Sequence, residues 1–110
     1  MIEKVRIFNE NKMAHEKPMP VAARLMDIQS ELGELSKEYL KATKYGTEEF
    51  LMTEDFTLEF GDVLYSMISL GLESGIDIEK AVDDVLAKYQ KRIDEKKNMG
   101  SGRWFIIIES

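Results

Sequence analysis

Cysteine is absent from this chain, histidine occurs once, and proline only twice in 110 residues. No cysteine means no disulfides and no thiolate zinc site, which suits a reducing compartment, and a cytoplasmic location is the expectation. A single histidine, His15, removes a di-iron bundle, which needs Glu-x-x-His on two helices, and no serine sits with a histidine partner in sequence to suggest a Ser-His-Asp triad. His15 itself reads as a surface or loop residue. No run of apolar residues approaches the roughly 18 of a membrane-spanning helix, and the first residues lack the apolar core of a signal peptide. Positive charge is also short: the formal net charge is −6, so a nucleic-acid backbone is not the expected partner. Phosphate-binding fingerprints of the Gly-x-x-x-x-Gly-Lys and Gly-x-Gly-x-x-Gly types are missing.

What is present reads as one all-α domain over 1–110, with a core over 18–97 and a tail over 98–110. Ile2, Val5 and Phe8 recur at helical spacing in a first amphipathic helix over 1–13. Pro18 and Pro20 break it, and Pro20 suits the first turn of the next helix. That helix is predicted over 21–43, where Val21, Leu25, Ile28, Leu32, Leu35, Tyr39 and Ala42 form a heptad-like stripe ended by Gly46. Thr47, Glu48 and Glu49 could open one further turn. Thr53 is the expected N-cap of a third helix carrying Phe56, Phe60, Val63, Met67 and Leu70 and ending near Gly75. Asp77 is placed to cap a fourth, bearing Ile78, Val82, Val85, Tyr89 and Ile93, which Gly100 to Gly102 ends. The apolar tail Trp104-Phe105-Ile106-Ile107-Ile108 has strand-like propensity and needs cover, from the helices or from a second subunit. A domain this small has a thin core, so a helical homo-oligomer is expected.

Two strings nearly repeat each other: Glu31-Leu32-Gly33-Glu34-Leu35 and Glu59-Phe60-Gly61-Asp62-Val63. Each sets two carboxylates three residues apart, on one face of its helix. Asp27, Glu31, Glu34 and Glu38 make one acidic strip; Glu59, Asp62 and Glu73 make another, with Ser66 and Ser69 between. Antiparallel packing would bring the strips together along one rim of the core. Acidic residues at such spacing ordinarily form a solvated face. A solvated face mixes signs, however, and it does not account for glycines at matched positions, each costing on the order of 1 kcal/mol within a helix. Those glycines point to close backbone approach or to open space. Carboxylates that converge repel one another unless they hold a cation, and carboxylate-only ligands favour Mg²⁺ or Mn²⁺. On the fourth helix Lys88 and Arg92 share a face; they either complement the helix dipole or grip phosphate oxygens.

Glu-x-x-Glu followed some two dozen residues later by Glu-x-x-Asp resembles the signature of the MazG-type, all-α nucleoside triphosphate pyrophosphohydrolases. The likeness runs from about Pro18 to Arg92 and includes Ser30 to Leu35, Glu59 to Tyr65, Gly75 to Glu79 and Lys88 to Arg92. It implies a four-helix MazG-like bundle completed by oligomerisation, as a dimer or tetramer, and Mg²⁺ held by Glu31, Glu34, Glu59 and Asp62. It also implies hydrolysis of a nucleoside triphosphate to the monophosphate and pyrophosphate, with Lys88 and Arg92 at the phosphates; nucleotide-pool housecleaning is a theme of the family. Base choice would come from the first helix, the loop before Pro20 and a neighbouring subunit. Ser30 stands where many members carry a further glutamate, which tunes the site without removing its usual ligands. Glu38, one turn beyond Glu34, is the candidate for an outer acid that positions water. Two other readings remain open: a non-catalytic helical interaction or regulatory module, and a phosphoribosyl-ATP pyrophosphatase.

Overall fold

Four helices form where the caps and spacings predict them, in the order α1 (Ile2–Met13), α2 (Val21–Ala42), α3 (Glu54–Glu73) and α4 (Ile78–Asn98). The computed structural model describes residues 1–13, 15–17 and 19–98. The expected apolar tail, the glycine stop at 100–102 and Pro18 lie outside the described residues. Among the described residues there is no strand, and no helix is long and apolar enough to cross a membrane.

The helix ends have local causes. Thr53 accepts a hydrogen bond from the Phe56 N–H at 3.0 Å, and Asp77 accepts one from the Lys80 N–H at 3.1 Å, so both predicted N-caps are in place. Glu54 and Asp55 add negative charge to the first turn of α3. At the other end of α3, the Ile76 N–H bonds the Gly71 carbonyl at 2.9 Å, while Gly75 takes the left-handed conformation (φ +75°) that this closure needs.

The end of α2 departs from expectation. Gly46 does not stop this helix; Lys44, two residues earlier, already sits at φ +48°, followed by Tyr45 at +61° and Gly46 at +83°. The Tyr45 N–H closes onto the Leu40 carbonyl at 2.7 Å. The buried Thr43 hydroxyl holds the turn, donating to the Tyr39 carbonyl and accepting from the Gly46 N–H, both at 2.9 Å. Left-handed backbone costs an L-residue about 1–2 kcal/mol, and this hydroxyl is what offsets it. Residues 47–49 are turn and irregular chain and open no further helical turn.

The chain divides into two compact units, Met1–Ile76 and the part from Asp77 onward. The expected single bundle over all four helices is therefore described as two parts, α1–α3 together and α4 by itself. Within the first unit α2 and α3 pack as an antiparallel hairpin: Arg24 near the start of α2 reaches Glu73 at the end of α3 at 2.9 Å. At the connected end Tyr39 stacks on Phe50 at 5.2 Å, and Phe50 meets Phe56 at 5.1 Å. α1 lies on α3 through an edge-to-face pair of Phe8 with Tyr65 at 5.9 Å, and through Asn9. The Asn9 side chain donates to the Ser69 hydroxyl at 3.0 Å and accepts from the Tyr65 hydroxyl at 2.6 Å.

The core is small and partly polar. Among the described residues the buried apolar side chains are Ile28 and Ile68, beside Arg24, Thr43, Ser66 and Ser69. Much of the predicted stripe on α2 (Val21, Leu25, Leu32, Tyr39) stays exposed, as do Phe60 and Met67 of α3. The face that α2 turns inward is rotated toward the acidic strip and runs through Arg24, Ile28, Glu31 and Leu35. Removing one cap should register on this thin core: Thr53→Ala is expected to cost about 1 kcal/mol, and Thr53→Ser to restore most of it. A urea midpoint unchanged by Thr53→Ala would assign the α3 start to packing alone.

Candidate metal centre

The rotation of α2 sets the acidic strips into the hairpin itself. One carboxylate oxygen each from Glu31, Glu59 and Asp62 lies within 4.8 Å of the other two, with Glu31 and Glu59 half-buried and Asp62 exposed. The Glu59 Oε2 atom is shielded from solvent and has no hydrogen-bond partner. An acceptor in that position is costly unless a donor or a cation meets it. Desolvation, and then the Asp62, Glu31, Glu34 and Glu38 charges, push the Glu59 carboxyl above the usual carboxylate range. Glu31 is pushed the same way, by desolvation and then by Asp62, Asp27 and Glu34. A self-repelling all-oxygen donor set with one unmet buried oxygen fits a hard divalent cation.

The structure brings together three of the four expected ligands. Glu34 is near enough to act on Glu31 and Glu59, but its carboxylate faces Lys37 at 3.6 Å and stands outside the close group. Glu38 sits a turn further on with its side chain 15% exposed, and Lys41 donates to it at 3.2 Å. That bond, above all, raises the Lys41 ammonium above its ordinary value. Lys37 and Lys41 thus cancel the outer acids and leave the inner three uncompensated. A Cβ placed on Gly33 or Gly61 would meet nothing within 4 Å. Of the two reasons expected for these glycines, close backbone approach is not seen and open space is.

Lys88 and Arg92 flank the Tyr89 ring on α4, at 5.3 and 5.8 Å from its centroid, and both are exposed. His15 is exposed beyond the end of α1. Glu73 leaves the acidic strip to pair with Arg24, a residue that sequence reasoning missed. Its signal was present: Arg24 falls four residues before Ile28 on the inward face, where an unpaired cation would not be tolerated. Asp27 is held between Arg24 (3.8 Å) and the Ser66 hydroxyl, which donates to it at 3.4 Å. Beside Arg24 opens a cleft of about 530 Å³, with Met13, Met19, Val21 and Leu72 in its walls alongside charged residues of both signs that include Arg6, Lys12, Glu10 and Glu16.

Among curated proteins the chain is 33% identical over 91 residues to Uncharacterized protein YpjD of Bacillus subtilis (strain 168), covering 79% of this chain and 77% of that one. The chain belongs to the YpjD family. No family model and no solved structure matches it.

The raised carboxyls fix the sign of a pH effect. Folded Glu31 and Glu59 bind their protons more tightly than the unfolded chain does, so metal-free stability falls as pH rises through their folded values. The penalty is present while both carboxyls are charged and is relieved as pH falls through their folded values. In EDTA, Glu59→Gln should melt above wild type at about pH 7.5, and the gap should close on acidification. A wild-type Tm that matches Glu59→Gln at every pH would show that the three carboxylates do not repel.

Proposed function

We propose that this protein is a Mg²⁺-dependent nucleoside triphosphate pyrophosphohydrolase of the MazG type, acting as a homo-oligomer. The observation that carries the proposal is the close group of Glu31, Glu59 and Asp62 with the unmet Glu59 oxygen in its midst. Mn²⁺ would serve in place of Mg²⁺ with the same donors. When bound, the cation supplies neutralisation of phosphate charge in substrate and transition state.

The reaction takes one water and cleaves the bridge between the α- and β-phosphates, giving the monophosphate and pyrophosphate. Glu31, Glu59 and Asp62 would hold the cation, with Glu34 available as a fourth donor because its pair with Lys37 is exposed and of low cost to break. Glu38, half-buried beside Glu59, is assigned to holding the attacking water. By the family resemblance, Lys88 and Arg92 of α4 are the candidates for gripping substrate phosphate oxygens. The cleft beside Arg24 begins two helical turns from Glu31, about 10 Å at the rise of an α-helix, and the apolar residues in its walls suit a base and sugar.

Self-association is proposed from the open stripes. Leu25, Leu32, Tyr39, Phe60 and Met67 are each more than 40% exposed, which is more apolar surface than a monomer of this size ordinarily leaves bare. Sedimentation equilibrium should return a dimer or tetramer; a monomer at micromolar concentration would remove the oligomer from the proposal.

The decisive assay is pyrophosphate release from a panel of canonical and modified nucleoside triphosphates and from phosphoribosyl-ATP, with Mg²⁺ and with EDTA. Release is expected only with Mg²⁺, and Asp62→Asn should lower it at least about 100-fold with helicity unchanged. Full activity in Asp62→Asn would sink the site assignment. Turnover confined to phosphoribosyl-ATP would change the substrate, and stabilisation by Mg²⁺ without turnover of any substrate would leave a metal-binding regulatory module. Lys88→Ala should chiefly raise KM, and an unchanged KM would return Lys88 to complementing the helix dipole.

A further inference from the structure

Four cross-helix pairings along the α2–α3 hairpin share one antiparallel register. Arg24 meets Glu73, Asp27 meets Ser66, Glu31 meets Glu59 and Asp62, and Tyr39 meets Phe56 through Phe50. Little else between the helices is directional. Buried at the contact are Ile28, Ile68 and the small hydroxyls of Ser66 and Ser69. Apolar burial is not directional, and small side chains offer few ridges to resist sliding.

The two ends of the hairpin are held differently. At the connected end the Thr43 turn and the Tyr39–Phe50–Phe56 chain fix the entry into α3. At the open end the chain supplies no link between the start of α2 and the end of α3. There the 6% exposed Arg24 grips both Glu73 oxygens, Nη2 at 2.9 Å and Nε at 3.5 Å, while its Nη1 lies 3.8 Å from Asp27. A buried guanidinium that loses its partner is far costlier than one that keeps it, so only a register with Glu73 opposite Arg24 is favourable. With the connected end fixed, tilting of α2 that displaces its open end by about one turn, ~5.4 Å, would draw Glu31 away from its partners on α3.

We propose that the Arg24–Glu73 pair is a positioning device for the metal centre: it sets the open end of the hairpin in the register at which Glu31 faces Glu59 and Asp62. The metal-centre part of this inference rests on the reading of the three carboxylates as a cation site, and the register part stands without it.

The natural absence of cysteine makes the register directly measurable. Ala22→Cys and Ser74→Cys, both exposed and flanking the clamp, take spin labels, with the labelled chain diluted in unlabelled protein. Arg24→Met should broaden or shift the distance distribution by about one helical turn. Its Mn²⁺ affinity should fall at least about tenfold, while far-UV helicity is kept. The swap Arg24→Glu with Glu73→Arg should recover both readouts in part. Should Arg24→Met fail to fold, Glu73→Gln, which keeps shape and one acceptor, is read by the same two measurements. An unchanged distance distribution in the folded variant overturns the inference, whether or not Mn²⁺ affinity changes. A shifted distance with Mn²⁺ affinity within about twofold of wild type overturns the link to the metal centre. Mn²⁺ affinity that Asp62→Asn leaves unchanged in the unshifted protein would instead overturn the cation reading, leaving the distance measurement to decide the register.

Discussion

Like-charge repulsion among Glu31, Glu59 and Asp62 is the constraint to which the α2–α3 hairpin is fitted. Glu31 and Glu59 are partly withdrawn from water, which raises the cost of their charge at the same place where the mutual repulsion is greatest. The surroundings do not cancel that charge; they confine it. Lys37 and Lys41 answer the acids on the flank, and Arg24 answers Glu73 and Asp27 at the far end of the hairpin. No cation among the described side chains is paired with the inner three.

The same arrangement accounts for the thin core. A helix face that carries Arg24, Glu31 and Asp27 cannot also be a continuous apolar seam, so α2 divides its surface. One side meets α3 through polar and small groups, and the other leaves Val21, Leu25, Leu32 and Tyr39 bare. With so few apolar side chains withdrawn from water inside the chain, much of the stabilising burial is left to a covering surface. In the proposed oligomer, folding and assembly would be linked, and apparent stability would depend on protein concentration.

Sequence pattern conveyed the helices and both side-chain caps because those signals are local. Thr53 and Asp77 need only their own next turn to act. It also placed Glu31, Glu59 and Asp62 on helix faces that could meet, since a spacing of three is a property of a single helix. The rotation of α2 was not legible in the same way. Which border of an apolar stripe turns inward depends on what the partner helix offers, and α3 offers Ser66 and Ser69 in place of large side chains. Arg24, and its pairing with Glu73, were missed for a related reason: opposite charges far apart in sequence reveal their pairing only once the register is known. The end of α2 fell within one residue of expectation, but its left-handed turn begins at Lys44 and Tyr45 before Gly46, because Thr43 holds that turn at residue types that rarely adopt it.

α1 is fastened differently from the other two helices of its unit. It buries no side chain, and its attachment to α3 consists largely of the Asn9 hydrogen bonds and the single Phe8–Tyr65 ring contact. Contacts of that kind can be exchanged for water without disturbing Ile28, Ile68 or the Arg24–Glu73 pair. So fastened, α1 has the makings of a separate local unit, whose amides are expected to exchange with solvent ahead of those of the α2–α3 pair. Since α1 also forms one wall of the cleft beside Arg24, a change in how α1 sits on α3 would alter that cleft while leaving the α2–α3 contact in place.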